Sequence, residues 1–287
     1  MPPHPLRRVG VLWPRLGPYH LARLRAAYNA FASRGLELVA LETAGDDQTY
    51  AWDVEAEPEA FERHQAFPGR VYDQIAPREM HRGVANLLTR LNLDGIAITS
   101  YSTPDAQAAL RWCRRHRRTA VCMLATKADD TDRHWLRELA KAQIVCQYDA
   151  ALVGGSPQRR YLASLGFPPD RIYVPYNAVD NAFFEHRVSE IRAAGFPPSL
   201  LPGLDDPRPF FVSVNRFISI KNLPTLLKAY IVYRNRTPEA PWRLILVGDG
   251  PDRAMLEALV HSKDIPGVTF AGFQQVDALP EYYARAG

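Results

Sequence analysis

Cysteine is scarce: Cys113, Cys122 and Cys146 are an odd, scattered set in 287 residues. That excludes a disulfide framework and a cysteine zinc site, and makes a reducing cytoplasm the expected compartment. No apolar run approaches the ~18–20 residues that span a bilayer. Near the N-terminus, Arg7 and Arg8 precede only the short run Val9–Trp13 before Pro14, too short for a secretory signal. No two histidines stand at metal-ligand spacing on one helix. Gly154-Gly155-Ser156-Pro157 lacks the second glycine of a nucleophile elbow, so Ser156 reads as a helix cap. Short-period repeats and low-complexity tracts are absent, which sets aside solenoids and disordered chains.

Apolar content of 47% and charged content of 23% match an ordinary globular enzyme. The length suggests roughly two domains, each able to enclose a core. The net charge of +4 is concentrated in Arg111-Trp112-Cys113-Arg114-Arg115-His116-Arg117-Arg118. That run closes a helix, where cations suit the dipole. Its sharper reading is a patch for anionic lipid headgroups, a peripheral membrane contact, or for an anionic acceptor. No nucleic-acid motif accompanies the charge, so nucleic acid is not an expected partner.

Strands and helices alternate through the N-terminal half. Strands are expected at Arg8–Trp13, Leu36–Glu42, Gly95–Thr99, Thr119–Ala125, Ala150–Gly154 and Arg171–Pro175, with a further one near Phe61–Phe67. Leu21, Leu24, Tyr28 and Phe31 recur at helical spacing before Gly35, a C-cap candidate. Helices are also expected over Met80–Leu91, from Pro104, over Thr131–Gln147 and over Ser156–Leu165. Asp130-Thr131-Asp132 reads as the start of the Thr131 helix rather than a metal-binding Asp-x-Asp. This alternation implies a parallel sheet covered on both faces. The expected division is 1–176, a Pro/Gly-rich linker at 177–208, and a second strand-helix series over 209–287.

The second series carries the most informative segment. Val212-Ser213-Val214-Asn215 is a short strand end, followed by Arg216 and Lys221 five residues apart, with a helix expected to begin at Lys221. A helix start favours anions, Arg216 adds a two-pronged fork and Lys221 a point charge. That is chemistry for a diphosphate. A second strand and turn follow at Leu244-Ile245-Leu246-Val247-Gly248-Asp249-Gly250-Pro251. The dinucleotide fingerprint fails there because Arg253 holds its third glycine position. In the N-terminal half, Gly17-Pro18-Tyr19-His20 follows the first strand, where an open α/β sheet places its ligand crevice. Tyr19 and His20 are the acceptor-side candidates.

These segments together resemble the nucleotide-sugar half of retaining glycosyltransferases of family 4, with two Rossmann-like lobes of the GT-B fold. The likeness extends to Tyr148–Val153, Ser156, Tyr161-Leu162, Leu165-Gly166 and Arg171–Asp180, and to Val268–Phe273 with the helix at Asp277–Ala286. Ala178 stands where the family usually has Gly, so either this turn avoids positive φ or Asn177 takes it.

The resemblance implies a metal-independent hexosyltransferase-like enzyme that moves a sugar from a nucleotide-diphosphate donor to an unidentified acceptor and needs no cofactor. Arg216 and Lys221 would stabilise the leaving diphosphate. Gly17, Asn215, Gly248, Gly250, Gly272, Phe273 and Gln274 would line the donor site, with the backbone of the last three meeting the base. Two departures qualify this. Leu124-Ala125-Thr126-Lys127 lacks the histidine many relatives carry, leaving Thr126 and Lys127 as acceptor-side candidates. The family's glutamate pair is not found by Gly287, so a C-terminally truncated chain with an incomplete second lobe, inactive alone, is expected. The alternatives are a nucleotide-sugar epimerase on the same fold, whose elimination bases cannot be located, and a non-catalytic remnant that binds a sugar nucleotide or a partner.

Overall fold

The computed structural model describes residues 6–46, 52 and 58–287. The sequence from Gly45 to about Gly69 reads as polar and irregular apart from the strand near Phe61–Phe67, and part of it lies outside the described residues. The chain divides into two compact units, Met1–Asp180 and Asn181–Gly287.

The first unit runs β1 (Arg8–Trp13), α1 (Pro18–Ala32), β2 (Glu37–Asp46), β3 (Glu62–Val71), α2 (Pro77–Leu91), β4 (Gly95–Thr99), α3 (Pro104–His116), β5 (Thr119–Leu124), α4 (Trp135–Val145), β6 (Ala150–Val153), α5 (Ser156–Ser164) and β7 (Ile172–Tyr173). The strands form one parallel sheet in the order β3-β2-β1-β4-β5-β6-β7. On β2, Val39 and Leu41 enter one core while Leu38 and Ala40 enter the other. Alternate residues face opposite sides of a strand, and both sides are covered, so the strand reads as a continuous apolar run. The helix α2 fits the same logic: Met80, Val84, Leu87, Leu88 and Leu91 make one buried stripe. Asn92 ends it in the left-handed region at φ +48°. The C-cap of α1 is Ser33, and Gly35 takes its positive φ of +68° in the turn beyond it.

One expected helix start and one expected cap are corrected. The Asp130-Thr131-Asp132 stretch is a loop, and α4 begins at Trp135. The reason is local: Asp130 Oδ2 accepts the Lys127 N–H at 2.8 Å, and Arg133 donates to the Ala128 and Lys127 carbonyls. Those bonds hold the backbone in a compact loop before a helix can form. At α5 the N-cap is Gly155, and Ser156 is the first helical residue without a side-chain cap bond.

The helix α4 is inverted in polarity over its first turns, whereas Val145, with Ala142 and Ile144 beside it, packs on the core at its far end. Trp135, Leu136 and Leu139 are more than half exposed, whereas Glu138 and Lys141 face the protein. There Glu138 takes Lys141 Nζ at 2.6 Å and the Tyr161 hydroxyl at 2.8 Å. Arg133 donates to that hydroxyl at 2.9 Å and stacks over its ring at 4.5 Å.

The second unit contains α6 (Asn181–Ala194), β8 (Phe210–Val214), α7 (Leu223–Arg236), β9 (Arg243–Val247), α8 (Arg253–Ser262), β10 (Val268–Gly272) and α9 (Leu279–Arg285). Its described strands form a parallel sheet in the order β10-β9-β8. Every residue of β9 is buried. Leu244 and Leu246 pack toward Leu227, Tyr230 and Leu256, and Ile245 and Val247 toward Leu204, Leu279 and Tyr282.

The stretch read as a linker, 177–208, is structured in part. The helix α6 fills Asn181–Ala194, with Phe184 edge-on to Tyr283 at 5.8 Å and the Arg192 side chain donating to the Ala284 carbonyl. The buried Arg243 guanidinium donates to the carbonyls of Gly203, Asp206 and Arg208 at 2.7–3.0 Å. Those bonds tie the Pro/Gly-rich stretch to β9.

Candidate functional site

In the second unit the loops leaving β8 and β9 interlock through their backbones. Asn215 N donates to Val247 O at 2.9 Å, Phe217 N to Asp249 O at 2.8 Å, and Asp252 N to Phe217 O at 3.1 Å. Two glycines permit this approach. A Cβ on Gly248 would lie 1.8 Å from Asn215 O, and one on Gly250 2.4 Å from Phe217 O. Their φ values, +137° and +157°, also disfavour any side chain. Gly248 N donates to Gly272 O at 2.8 Å, so the end of β10 joins the same cluster.

This arrangement places Asn215 and Arg216 on the β8 loop, Gly248 and Gly250 on the β9 loop, and Gly272, Phe273 and Gln274 at the end of β10. All sit at the carboxyl end of one parallel sheet, where α/β proteins bind ligands. Asn215 Nδ2 donates to Ser213 Oγ at 2.7 Å, and Gln274 Nε2 to Ala271 O at 3.0 Å. Lys221 differs from expectation. It ends a short 3-10 turn, Ser219–Lys221, and α7 starts only at Leu223. Asn222, left-handed at φ +51°, forms the N-cap and breaks the helix between them.

In the first unit the strand order reverses at β1, which pairs with β2 on one side and β4 on the other. The crevice beyond β1 and β4 is the topological switch point. Gly17, Tyr19 and His20 start α1 there. Gly17 N donates to His20 Nδ1 at 3.0 Å, so this nitrogen holds a lone pair and the proton of the neutral ring sits on Nε2. Burial, reinforced by the Arg23 charge, lowers the His20 pKa to about 4. Its ring lies 5.0 Å from Trp13, and Tyr19 packs edge-on to Trp52 at 5.8 Å.

Several contributors to this crevice carry no sequence signal. The fully buried Glu42, within β2 beside the end of β1, accepts the Leu16 N–H at 2.8 Å and pairs with Arg63. It thereby fixes the loop between β1 and α1. Arg23 donates to Ala178 O at 2.7 Å and Asn177 Oδ1 at 2.6 Å, and its pKa is lowered by burial. Neither Asn177 nor Ala178 has positive φ, which resolves the turn in favour of ordinary backbone. Ser100, after β4, is left-handed at φ +72°, a strained position of the kind that clusters at functional sites.

Thr126 and Lys127 follow β5, one strand further from β1. The Lys127 ammonium turns back onto its own loop, 2.8 Å from Asp129 and 3.6 Å from Asp130. No group of three or more metal-ligating side chains occurs among the described residues. Within the Arg111–Arg118 run, Arg114 pairs with Asp149, and Arg118 with Asp94 at 3.1 Å. No helix among the described residues is long and apolar enough to cross a membrane.

Residues 202–287 match the family described as Glycosyl transferases group 1. The matched span contains β8, β9, β10 and the interlocked loops. No curated protein matches the chain. Solved structures share its fold at low identity. The Anabaena protein HepE, solved with UDP-glucose, is 15% identical with a TM-score of 0.67, covering 97% of this chain and 72% of its own. The UDP-N-acetylglucosamine 2-epimerase of Rickettsia bellii is 14% identical with a TM-score of 0.57, covering 97% and 71%. The lipopolysaccharide outer core galactosyltransferase WaaB, in its apo form, is 14% identical with a TM-score of 0.53, covering 95% and 70%. The chain therefore has the α/β architecture of the GT-B proteins, with a glycosyl transferases group 1 match in its second unit.

Proposed function

We propose that the chain is a retaining glycosyltransferase that takes a nucleotide-diphosphate sugar, without a metal, and delivers the sugar to an acceptor held by the first unit. The observation that carries this reading is the β8–β9 loop cluster, in which Arg216 follows a strand whose end is locked to a Gly-Asp-Gly turn, inside the segment matched to glycosyl transferases. Loss of the diphosphate from the anomeric carbon concentrates negative charge on its oxygens as an oxocarbenium-like sugar develops. The guanidinium of Arg216 and the ammonium of Lys221 offset that charge as it forms. Retention follows when the acceptor oxygen enters from the face the diphosphate leaves, its proton passing to a diphosphate oxygen. Gly272, Phe273 and Gln274 meet the base, and Tyr19 and His20 meet the acceptor. A neutral His20 with Nε2–H suits hydrogen-bond donation to a sugar or hydroxyl oxygen rather than proton abstraction.

The experiment is UDP binding by isothermal titration, followed by turnover of UDP-sugars against an acceptor panel. Arg216→Ala and Lys221→Ala should each cost ~10²-fold or more in turnover, the scale of one lost oxyanion donor. A chelator should leave turnover unchanged. Wild-type turnover retained by both variants, or strict dependence on added Mn²⁺, would overturn the cation mechanism. Solved 2-epimerases share this fold, so UDP-N-acetylglucosamine should also be followed by proton NMR without acceptor. Inversion at C2 would replace the transferase reading.

A further inference from the structure

We propose that Arg253 is a positioning residue that sets the Gly248–Gly250 turn in the conformation a donor diphosphate requires. This rests on the donor-site reading of the second unit. The turn has one side chain by which it can be held, because Gly248 and Gly250 have none. That side chain, Asp249, is fastened twice: Oδ1 accepts the Gly250 N–H at 2.7 Å, and Oδ2 takes Arg253 Nη1 at 3.0 Å. Arg253 Nε in turn donates to Glu257 Oε1 at 2.8 Å, one turn along α8. The same Nη1 lies 3.7 Å from where a Cβ on Gly272 would project. A single guanidinium therefore joins the β9 loop to the helix α8.

The geometry points to positioning rather than to fold stability. Asp249 and Glu257 are both about half exposed, and exposed ion pairs contribute little to folding. What the fork supplies is direction. Its nitrogens meet two carboxylates on two edges at once, which a lysine ammonium at the end of a flexible stem does not reproduce. Arg253 also neutralises Asp249, a carboxylate that would otherwise repel an arriving diphosphate. The two effects separate by substitution.

The test measures UDP affinity by titration calorimetry, melting temperature, and amide hydrogen exchange across residues 248–252, for R253Q, R253K, E257Q and the double variant D249N/R253Q. Arg253→Gln and Arg253→Lys should each weaken UDP binding about tenfold, speed exchange in the turn, and shift melting by no more than ~2 °C. Glu257→Gln should weaken binding less, since the Asp249 contact survives, and D249N/R253Q should not recover affinity. Full affinity in R253K, or recovery in D249N/R253Q, would show that charge cancellation alone is at work and overturn positioning. Unchanged exchange in R253Q would overturn the tether whether or not UDP binds. Absence of UDP binding by the wild-type chain would instead refute the donor-site reading, leaving the tether to be judged by exchange.

Discussion

Substituting Gly250 by alanine should unfold the second unit's ligand-facing edge at a cost that can be worked from the backbone. The new Cβ would sit 2.4 Å from Phe217 O and 2.9 Å from both Phe217 C and N. These are main-chain atoms and cannot rotate aside, and the Phe217 ring is fully buried beneath them. Relief requires the two loops to part, loosening Phe217 N→Asp249 O and Asp252 N→Phe217 O. Strain of a side chain at this φ costs about 1–3 kcal/mol. Overpacking costs about 1–3 more, and each weakened hydrogen bond up to ~1. A total of roughly 2–8 kcal/mol is a large part of a domain's 5–15, and its middle should lower melting by about 10 °C or more. Differential scanning calorimetry reads it directly. Gly35→Ala is the control, because Gly35 also has positive φ but nothing within 4 Å, so only the left-handed penalty of ~1–2 kcal/mol applies. If Gly250→Ala melts no lower than Gly35→Ala, the loops do not interlock as described.

Two further outcomes concern the first unit. His20 has a folded-state pKa near 4 against an ordinary 6.5, so the unfolded chain binds the proton more tightly. The stability its neutral form contributes is complete above pH ~6.5 and is lost as pH falls toward 4, up to ~3 kcal/mol. Urea unfolding at pH 7 and 4.5 should show this decline flattened in His20→Gln, and an equal decline in both would exclude His20 as its source. Arg23→Met should release the Asn177–Ala178 turn, seen as faster chymotryptic cleavage at Tyr176, while an unchanged cleavage rate would mean that the turn holds without Arg23.

The strands were legible as short continuous apolar runs between turn residues, and the long helices because their apolar residues repeat at a period of 3.6, as Met80, Val84, Leu87, Leu88 and Leu91 do in α2. Departures occur where one polar contact decides. The helix at Trp135 starts late because Lys127, Asp130 and Arg133 knot the preceding loop. The helix at Leu223 starts late because Asn222 is left-handed. The helix α6 escaped notice although Phe184, Val188 and Ile191 recur at helical spacing, because the Pro and Gly residues just beyond it, Gly195, Pro197, Pro198, Pro202 and Gly203, read as a linker. Gly248 and Gly250 could be singled out from their turn chemistry, although the reason for them is the neighbouring β8 loop. Glu42, Arg23 and Arg253 could not be singled out, since each acts through a partner tens of residues away or on an adjoining turn. An acid in an apolar strand such as Glu42 is the nearest thing to a usable signal.

The reversed polarity of α4 bears on how the protein can be handled. Over its first turns the inward side is held by ionic and hydroxyl contacts around Glu138 and the outward side displays Trp135, Leu136 and Leu139, while Ala142, Ile144 and Val145 anchor its far end on the core. A design that ranked positions by hydropathy would protect the leucines and treat Glu138 and Lys141 as expendable surface, which is the wrong way round. For a more soluble variant, Leu136 and Leu139 are the positions to change to charged residues, because most of their area already faces water and few contacts are lost. Trp135, on the same face, is left as an indole whose emission reports when anything comes to cover it.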